Sequence, residues 1–208
     1  MNTDDIKKHW DTIYQTKSPN EVSWTQEIPK TSLDVIRSTN VPRNARILDV
    51  GGGDSTLVDY LLAEEFNNIT VLDISERALE RAQKRLGPGS NLITWITGDI
   101  TAYQPEQPFD LWHDRAVFHF LTTDDDITAY VSLASKAIVP GGILVIATFS
   151  TDGPTKCSGL GIRQYNEETL TQQFASDFEK IKCFTEDHVT PMGAKQNFLF
   201  GLYRRNQD

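Results

Sequence analysis

Cysteine is scarce in this chain, which has only Cys157 and Cys183 among its 208 residues. Two cysteines are too few for a disulfide framework, and these two lack the close pairing of a zinc site. Free thiols are typical of a reducing compartment, which excludes the class of small secreted domains held by disulfides. We therefore expect a cytoplasmic protein without a bound metal.

Long hydrophobic runs and basic charge are also lacking. No window approaches the roughly 18 uninterrupted apolar residues of a membrane-spanning helix, and the N-terminal MNTDDIKKHW has no apolar signal core. The chain has 20 Lys and Arg against 29 Asp and Glu, and its net charge is −9. Because nucleic-acid affinity comes mainly from clustered basic side chains, we expect neither a nucleic-acid nor a membrane partner.

The apolar residues, in contrast, are arranged in a regular order. Short apolar runs alternate with amphipathic stretches between Ile47 and Phe149, which is typical of parallel strands joined by crossover helices. The predicted strands are RILDV, ITVLDI, LITWIT, FDLWHD and ILVIATF. Two later runs, FEKIKCFTEDHV and QNFLFGLYRR, predict an antiparallel hairpin at one edge of the sheet. The fold class is therefore α/β, and one domain is expected over residues 1–208.

Helices are predicted wherever apolar residues recur at helical spacing. Between the strands these segments are STLVDYLLAEEF, SERALERAQKRLG and TTDDDITAYVSLASKAIVPGG. Ser55, Ser75 and Thr123 are candidate N-caps, while Gly87 and the PGG of residues 140–142 are candidate helix ends. A loop over residues 150–161 and a helix near residues 167–174 follow. The first 43 residues differ, since HWDTIYQ and SLDVIRS predict two helices joined by an irregular link.

The most informative stretch is ARILDVGGGDS, in which an apolar run ends in Asp49 and three glycines, Gly51 to Gly53. Glycines at such a turn let the backbone approach a ligand, and the following helix supplies amide donors. The stretch fits neither G-x-G-x-x-G nor G-x-x-x-x-G-K-[ST]. Asp49 would also repel a phosphate. A ligand with a positive centre, a ribose and an adenine fits better.

Two further acids follow the next two strands. Asp73 ends ITVLD, about 20 residues after the glycines, where a carboxylate accepts the hydroxyl groups of a ribose. Asp99 ends the following strand and can accept from an adenine amino group. All three acids are expected at the carboxyl edge of the sheet, where open α/β sheets bind ligands. A helix cap or a solvated charge is the alternative for each of them taken singly.

In order and spacing, ILDVGGGDS, VLDIS, TGDI, FDLWHDR and VPGGILVIATF resemble the class I S-adenosylmethionine-dependent methyltransferases over roughly residues 44 to 204. The resemblance implies a Rossmann-like, seven-stranded and mostly parallel sheet with helices on both faces. The last two strands would form the antiparallel hairpin, residues 1–43 a helical lid and residues 44–208 the core. S-adenosylmethionine would be the cofactor and S-adenosylhomocysteine the product. The residues predicted to bind it are Trp10, Asp49, Gly51, Gly52, Gly53, Asp73, Ile74, Asp99 and Ile100.

A second, local resemblance concerns the methyl acceptor. HDRAVFHFL is similar to the Asp-Arg segment of the thiopurine and halide/thiol methyltransferases, and HWDTIYQTKSPNEVSW is similar to their Trp-containing lid. It implies catalytic roles for His113, Asp114 and Arg115. It also implies a small-molecule acceptor with a sulfur nucleophile such as a thiol, sulfide or methanethiol, because a nearby Arg favours a thiolate. An internal salt bridge between Asp114 and Arg115 is the alternative.

The remaining candidates surround the expected acceptor. Predicted to bind it are Tyr14, Trp24, His119, Arg163, Tyr165 and His188. Ordinary packing explains the lid aromatics and His119 equally well, and Arg163 or Tyr165 would then only fix a loop. Three other functions stay open: a protein lysine methyltransferase, a non-catalytic cofactor-binding module, and an NAD-dependent dehydrogenase, which the glycine pattern disfavours.

Overall fold

The computed structural model describes residues 3–207. The α-helices are α1 (Thr3–Thr16), α2 (Lys30–Ser38), α3 (Leu57–Ala63), α4 (Glu76–Leu86), α5 (Asp124–Ala137) and α6 (Glu167–Phe174). The strands are β1 (Ile47–Val50), β2 (Ile69–Asp73), β3 (Ile93–Thr97), β4 (Phe109–Arg115), β5 (Ile138–Phe149), β6 (Lys156–Cys157), β7 (Leu160–Gly161), β8 (Phe178–Val189) and β9 (Lys195–Arg205). Among these helices, none is long and apolar enough to cross a membrane.

Seven strands form one sheet in the order β3-β2-β1-β4-β5-β9-β8. β2 is parallel to β1 and β3, and β4 is parallel to β5. β9 is antiparallel to both β5 and β8. The predicted mostly parallel sheet, closed by an antiparallel hairpin, is confirmed. By contacts the chain divides into two units, one running up to Tyr103 and including Thr190–Ala194, the other comprising Gln104–Val189 and the residues from Lys195 onward.

The first unit holds β1 to β3 and the N-terminal helices. Every residue of β1 and β2 is buried, which explains why these strands read as unbroken apolar runs. The two predicted N-terminal helices and the irregular link between them are confirmed as α1, α2 and a short 3₁₀ turn. The Ser75 side chain caps α4 by accepting from the amide of Ala78, and Gly87, with φ of 57°, ends that helix. Helix α3 starts at Leu57, whose amide donates to the Ser55 hydroxyl.

The second unit holds β4 to β9. Its core is aromatic, and the rings of Trp112, Tyr130 and Phe118 are fully buried. Thr123 caps α5 as predicted, but the predicted helix end at residues 140–142 is wrong, because α5 ends at Ala137 and β5 begins at Ile138. Burial of Ile138 and its pairing with Phe109 draw this stretch into the sheet. The predicted loop over residues 150–161 contains the small hairpin of β6 and β7.

Candidate functional site

The turn after β1 adopts a backbone conformation that favours glycine. Gly51 and Gly53 have φ angles of 64° and 45°, in the left-handed region where a side chain is strained. A Cβ atom on Gly52 would lie 2.5 Å from Oδ2 of Asp49, and one on Gly53 would lie 2.8 Å from Oδ2 of Asp73. The two buried carboxylates therefore lie directly against bare backbone, which requires glycine at these positions.

Asp73 is buried at the end of β2. Its Oδ1 accepts from the amide of Ser75 at 2.7 Å. Burial raises the pKa of Asp73 to about 7, and the negative charge of Asp49 adds to the rise, while hydrogen bonds from the Ser75 and Gly53 amides oppose it. A carboxylate held in this way can accept hydroxyl groups of a ligand, and each hydrogen bond that it accepts favours its ionised form.

Asp99 lies two residues beyond β3 and contacts both its own loop and helix α1. One carboxylate oxygen accepts from the amide and the hydroxyl of Thr101, at 2.9 and 2.8 Å. The other accepts from the Thr3 hydroxyl at 3.0 Å. Ile100 is buried, whereas Ile74, after β2, is half-buried. The carboxylate predicted to accept from an adenine thus also binds the start of the lid helix.

The aromatic side chains of the predicted lid form a cluster. The ring centroids of Trp10 and Trp24 are 5.6 Å apart, and those of Tyr14 and Trp24 are 6.0 Å apart. Tyr14 is buried and accepts a hydrogen bond from the Trp24 side chain. A Cβ on Gly53 would lie 3.0 Å from the Tyr14 hydroxyl. The structure therefore places Tyr14, predicted to contact the acceptor, against the glycine turn.

Sequence reasoning missed the polar contacts that fix the lid. The hydroxyl of Ser75 donates to Oδ1 of Asp11 at 2.7 Å, and Arg81 donates to the carbonyl of Lys17 at 2.6 Å. Asp11 is one helical turn from Lys7, with which it forms an ion pair. The available signal was this i,i+4 spacing, but such pairs are common on exposed helices and indicate no partner elsewhere in the chain.

In the second unit, Asp114 is fully buried at the end of β4. Its carboxylate accepts from the amides of Val117 at 2.9 Å and Phe118 at 3.1 Å, and from the Tyr130 hydroxyl at 2.6 Å. Burial raises the pKa of Asp114 to about 6, although these hydrogen bonds oppose the rise. Tyr130 in turn accepts from Trp112 Nε1. These contacts give Asp114 the geometry of a residue that shapes its loop. The neighbouring His113 is also buried.

Arg115 follows Asp114 and is half-buried. Its guanidinium carbon lies 4.5 Å from the centroid of the Phe198 ring. Burial lowers the pKa of Arg115 to about 10, and the charges of Glu186 and Cys157 oppose this change. Arg115 therefore remains a cation at neutral pH. Cys157 is buried, and burial raises the pKa of its thiol to about 11.

The predicted histidines flank the same aromatic rings. His119 is fully buried, its ring centroid is 4.8 Å from that of Phe149, and its Nδ1 accepts from the Phe149 amide at 3.3 Å. Burial, together with Arg115, lowers the pKa of His119 to about 3, so the imidazole is neutral. His188 is buried with its ring 6.1 Å from that of Phe198. We call Arg115, His119, Phe149, His188 and Phe198 the arginine–aromatic cluster.

Arg163 and Tyr165 make other contacts. Arg163 forms an ion pair of 2.9 Å with Asp124 at the start of α5, and its amide donates to the carbonyl of His119. Tyr165 is buried with its ring centroid 5.4 Å from that of Phe118. The alternative in which these residues fix a loop agrees with the contacts seen. Within residues 3–207, no group of three or more His, Cys, Asp or Glu side chains could hold a metal.

Comparison with known proteins gives a family match over the middle of the chain. Residues 48–144 match a family model described as "Methyltransferase domain". A solved structure of the N-methyltransferase NodS from Bradyrhizobium japonicum, in complex with S-adenosylhomocysteine, has a TM-score of 0.69 at 18% identity and 99% coverage of each chain. The chain has the methyltransferase fold.

Two relatives by sequence differ in what their names say they methylate. Malonyl-[acyl-carrier protein] O-methyltransferase 2 of Ilyobacter polytropus is 30% identical over 107 residues, which are 51% of this chain and 40% of that protein. The chain thus spans less than half of this relative. EEF1A lysine methyltransferase 2 of Danio rerio is 22% identical over 210 residues, covering 94% of this chain and 80% of that protein.

The residues of the first unit fit the cofactor of methyltransferases, S-adenosylmethionine. Gly52 and Gly53 leave no room for a Cβ, so the bare backbone of the turn lies beside two carboxylates. A cationic ligand is favoured there because Asp49 and Asp73 are buried acids. The acidic turn would disfavour a dinucleotide pyrophosphate, which is the physical reason for setting the NAD-dependent alternative aside.

Proposed function

We propose that this protein is an S-adenosylmethionine-dependent methyltransferase that acts on a small molecule with an anionic nucleophile, a thiolate in the first place. The observation that carries the proposal is the half-buried Arg115 guanidinium on the Phe198 ring. A guanidinium presents a planar fork of N–H groups that matches an anion, and its positive charge stabilises a neighbouring thiolate. Relatives of the same fold and the glycine turn support the cofactor.

The cofactor is assigned to residues of the first unit. Asp49 and the glycine turn would hold the methionine part, Asp73 the ribose hydroxyls, and Asp99 with Ile100 the adenine. When bound, S-adenosylmethionine supplies a methyl group on a positively charged sulfur. The lid aromatics Trp10 and Trp24 would exclude water from this part of the site, which methyl transfer requires.

The acceptor is assigned to the arginine–aromatic cluster of the second unit. A free thiol has a pKa of about 8.5, so a neighbouring cation raises the fraction of reactive thiolate at neutral pH. Its proton can pass to water, and a dedicated base is not needed. His119, whose pKa is about 3, would act as a neutral hydrogen-bonding group. Asp114 would position the loop that carries Arg115.

A carboxylate is the second candidate for the acceptor. A carboxylate matches the fork of a guanidinium through two parallel hydrogen bonds, and the Ilyobacter relative is named malonyl-[acyl-carrier protein] O-methyltransferase 2. Lysine methylation is supported by the long match to the zebrafish relative. It is disfavoured by Arg115, since a half-buried cation repels the lysine ammonium group.

Purified protein should be incubated with S-adenosylmethionine and a panel of sulfide, methanethiol, simple thiols, carboxylic acids, phenols and amines, with S-adenosylhomocysteine formation as the readout. We expect turnover with at least one thiol. Turnover with carboxylic acids alone would replace the first candidate by the second. In a second experiment the protein is incubated with a lysate and cofactor that has a radiolabelled methyl group. Transfer of the label to a lysate protein would favour lysine methylation. Binding of S-adenosylhomocysteine without turnover of any acceptor would leave a non-catalytic binding module.

A further inference from the structure

One guanidinium of helix α4 binds the end of the glycine turn. Nη1 of Arg85 donates to the carbonyl of Asp54 at 3.1 Å and to its Oδ1 at 2.6 Å. Nη2 donates to the carbonyl of Ser55 at 2.7 Å. Two successive backbone carbonyls directly after Gly53 are therefore fixed by a side chain that lies 30 residues further along the chain.

The same guanidinium also binds the helix that follows the turn. Nε of Arg85 donates to Oδ1 of Asp59 at 3.0 Å, and Nη2 donates to Oδ2 at 2.8 Å. Asp59 lies in the first turn of α3. This bidentate pairing requires the planar fork of arginine, which lysine does not reproduce. Arg85 thus joins the turn, α3 and α4 through one rigid group.

Arg81, one helical turn before Arg85, extends these contacts to the lid. Its Nη1 lies 3.5 Å from Oδ2 of Asp54, and its Nη2 donates to the carbonyl of Lys17 at 2.6 Å. Its guanidinium carbon is 5.7 Å from the centroid of the Tyr14 ring. Asp54 is therefore shared by two arginines, one of which contacts the end of the lid helix.

The charges of this group explain why two arginines are placed here. Asp54 is largely buried, with 13% of its side chain exposed, and it stands next to a turn that already has Asp49 and Asp73. Without the arginines, the largely buried Asp54 carboxylate would lose the cations that offset its charge, and solvation would draw it outward. With them, Asp54 stays at the end of the glycine turn, whose bare backbone lies against Asp49 and Asp73.

We propose that Arg85 is a positioning residue for cofactor binding. It holds Asp54 and Ser55 in place, so that the glycine turn already has its bound shape before the cofactor arrives. This inference rests on the cofactor assignment in the proposed function and is independent of the acceptor. The loss of Arg85 would let the turn relax, so part of the binding free energy would be spent on ordering it again.

The test is a calorimetric titration of the full chain with S-adenosylhomocysteine. The variants are Arg85→Gln, Arg85→Lys and the control Arg77→Gln, an exposed arginine of the same helix that pairs with Glu80. We expect both Arg85 variants to bind about tenfold or more weakly than the unchanged protein, and the control to bind equally well. Maximal turnover at saturating cofactor should fall much less than affinity, since Arg85 acts before chemistry.

Amide hydrogen exchange without ligand separates positioning from general support of the fold. In Arg85→Gln we expect faster exchange over residues 51–57 and unchanged exchange in β1 and β2. Affinity within twofold of the unchanged protein, or faster exchange throughout the first unit, would overturn the inference. If Arg85→Gln does not fold, the affinity and the amide exchange of Arg85→Lys decide instead. If the unchanged protein itself binds no S-adenosylhomocysteine, the cofactor assignment fails as well.

Discussion

The hydroxyl of Ser75 donates a hydrogen bond of 2.7 Å to the carboxylate of Asp11, although the two residues lie 64 positions apart in the chain. Ser75 caps α4 and its amide donates to Asp73, the predicted ribose ligand. Asp11 belongs to the lid helix α1. One short contact therefore connects helix α1, the predicted lid, to the end of β2, where the cofactor is expected.

Asp11→Ala should weaken cofactor binding by a few-fold. The substitution removes the hydrogen bond between Ser75 and the partly exposed carboxylate of Asp11. We expect its loss to cost about 1 kcal/mol of binding free energy. The affinity for S-adenosylhomocysteine, measured by calorimetry, checks this value. Lys8→Ala, on the exposed side of the same helix, is the matched control and should bind normally. Equal affinity of both variants would mean that the lid closes without Asp11.

Cofactor affinity should rise with pH up to about 7. The ribose hydroxyl groups are bound best by ionised Asp73, whose pKa in the free protein is about 7, so binding at lower pH requires loss of a proton. Affinity at about pH 6 should then be up to tenfold lower than at about pH 8. The pH dependence should disappear in Asp73→Asn, whose affinity is low throughout. A pH-independent affinity of the unchanged protein would contradict the ribose assignment.

The stability of the free protein should change in the opposite direction. The pKa of Asp73 is raised in the folded state from the usual 3.8 to about 7, so the folded state holds a proton that the unfolded state has released. The contribution of protonated Asp73 to the free energy of unfolding is complete below about pH 4 and is lost as pH rises to about 7. Urea denaturation of the unchanged protein and of Asp73→Asn across this range should show a difference between them that grows with pH. A constant difference would place Asp73 in a more solvated environment.

Arg115→Gln should affect the acceptor and leave the cofactor in place. Removing the cation should raise the KM of an anionic acceptor at least tenfold, while affinity for S-adenosylhomocysteine stays within about twofold. Arg115→Lys keeps the charge without the planar fork and should be intermediate. Thermal denaturation serves as the control for folding. If both variants unfold at lower temperature and neither loses acceptor binding selectively, Arg115 has a packing role beside Phe198.

Asp114→Asn tests whether this buried acid is structural or catalytic. The amide nitrogen of Asn faces donors at Phe118 or Tyr130, so we expect a loss of roughly 2 to 4 kcal/mol in the free energy of unfolding. Tyr130→Phe removes one of these donors and should cost less. Urea denaturation measures both. Normal stability combined with lost turnover would support the predicted catalytic role of Asp114.

Much of the fold could be predicted because its signals are local. The apolar runs of β1 and β2 and the glycines that follow β1 are readable within a few residues, since burial on both faces demands them. The end of α5 was misread because PGG usually ends a helix, whereas burial of Ile138 and pairing with Phe109 decided the strand. That pairing joins residues far apart in sequence, so a short stretch of sequence cannot predict it.

The candidate site divides in the same way. The sequence by itself determined that acids close three successive apolar runs and that a glycine turn follows the first, because these signals lie within a few residues of one another. Only the tertiary structure decided what each charge contacts: Asp114 accepts from Tyr130, Arg115 lies on Phe198, and Arg85 binds Asp54 across 31 positions. Such partners are selected by burial and charge balance in the folded chain, and these are properties of the whole packing.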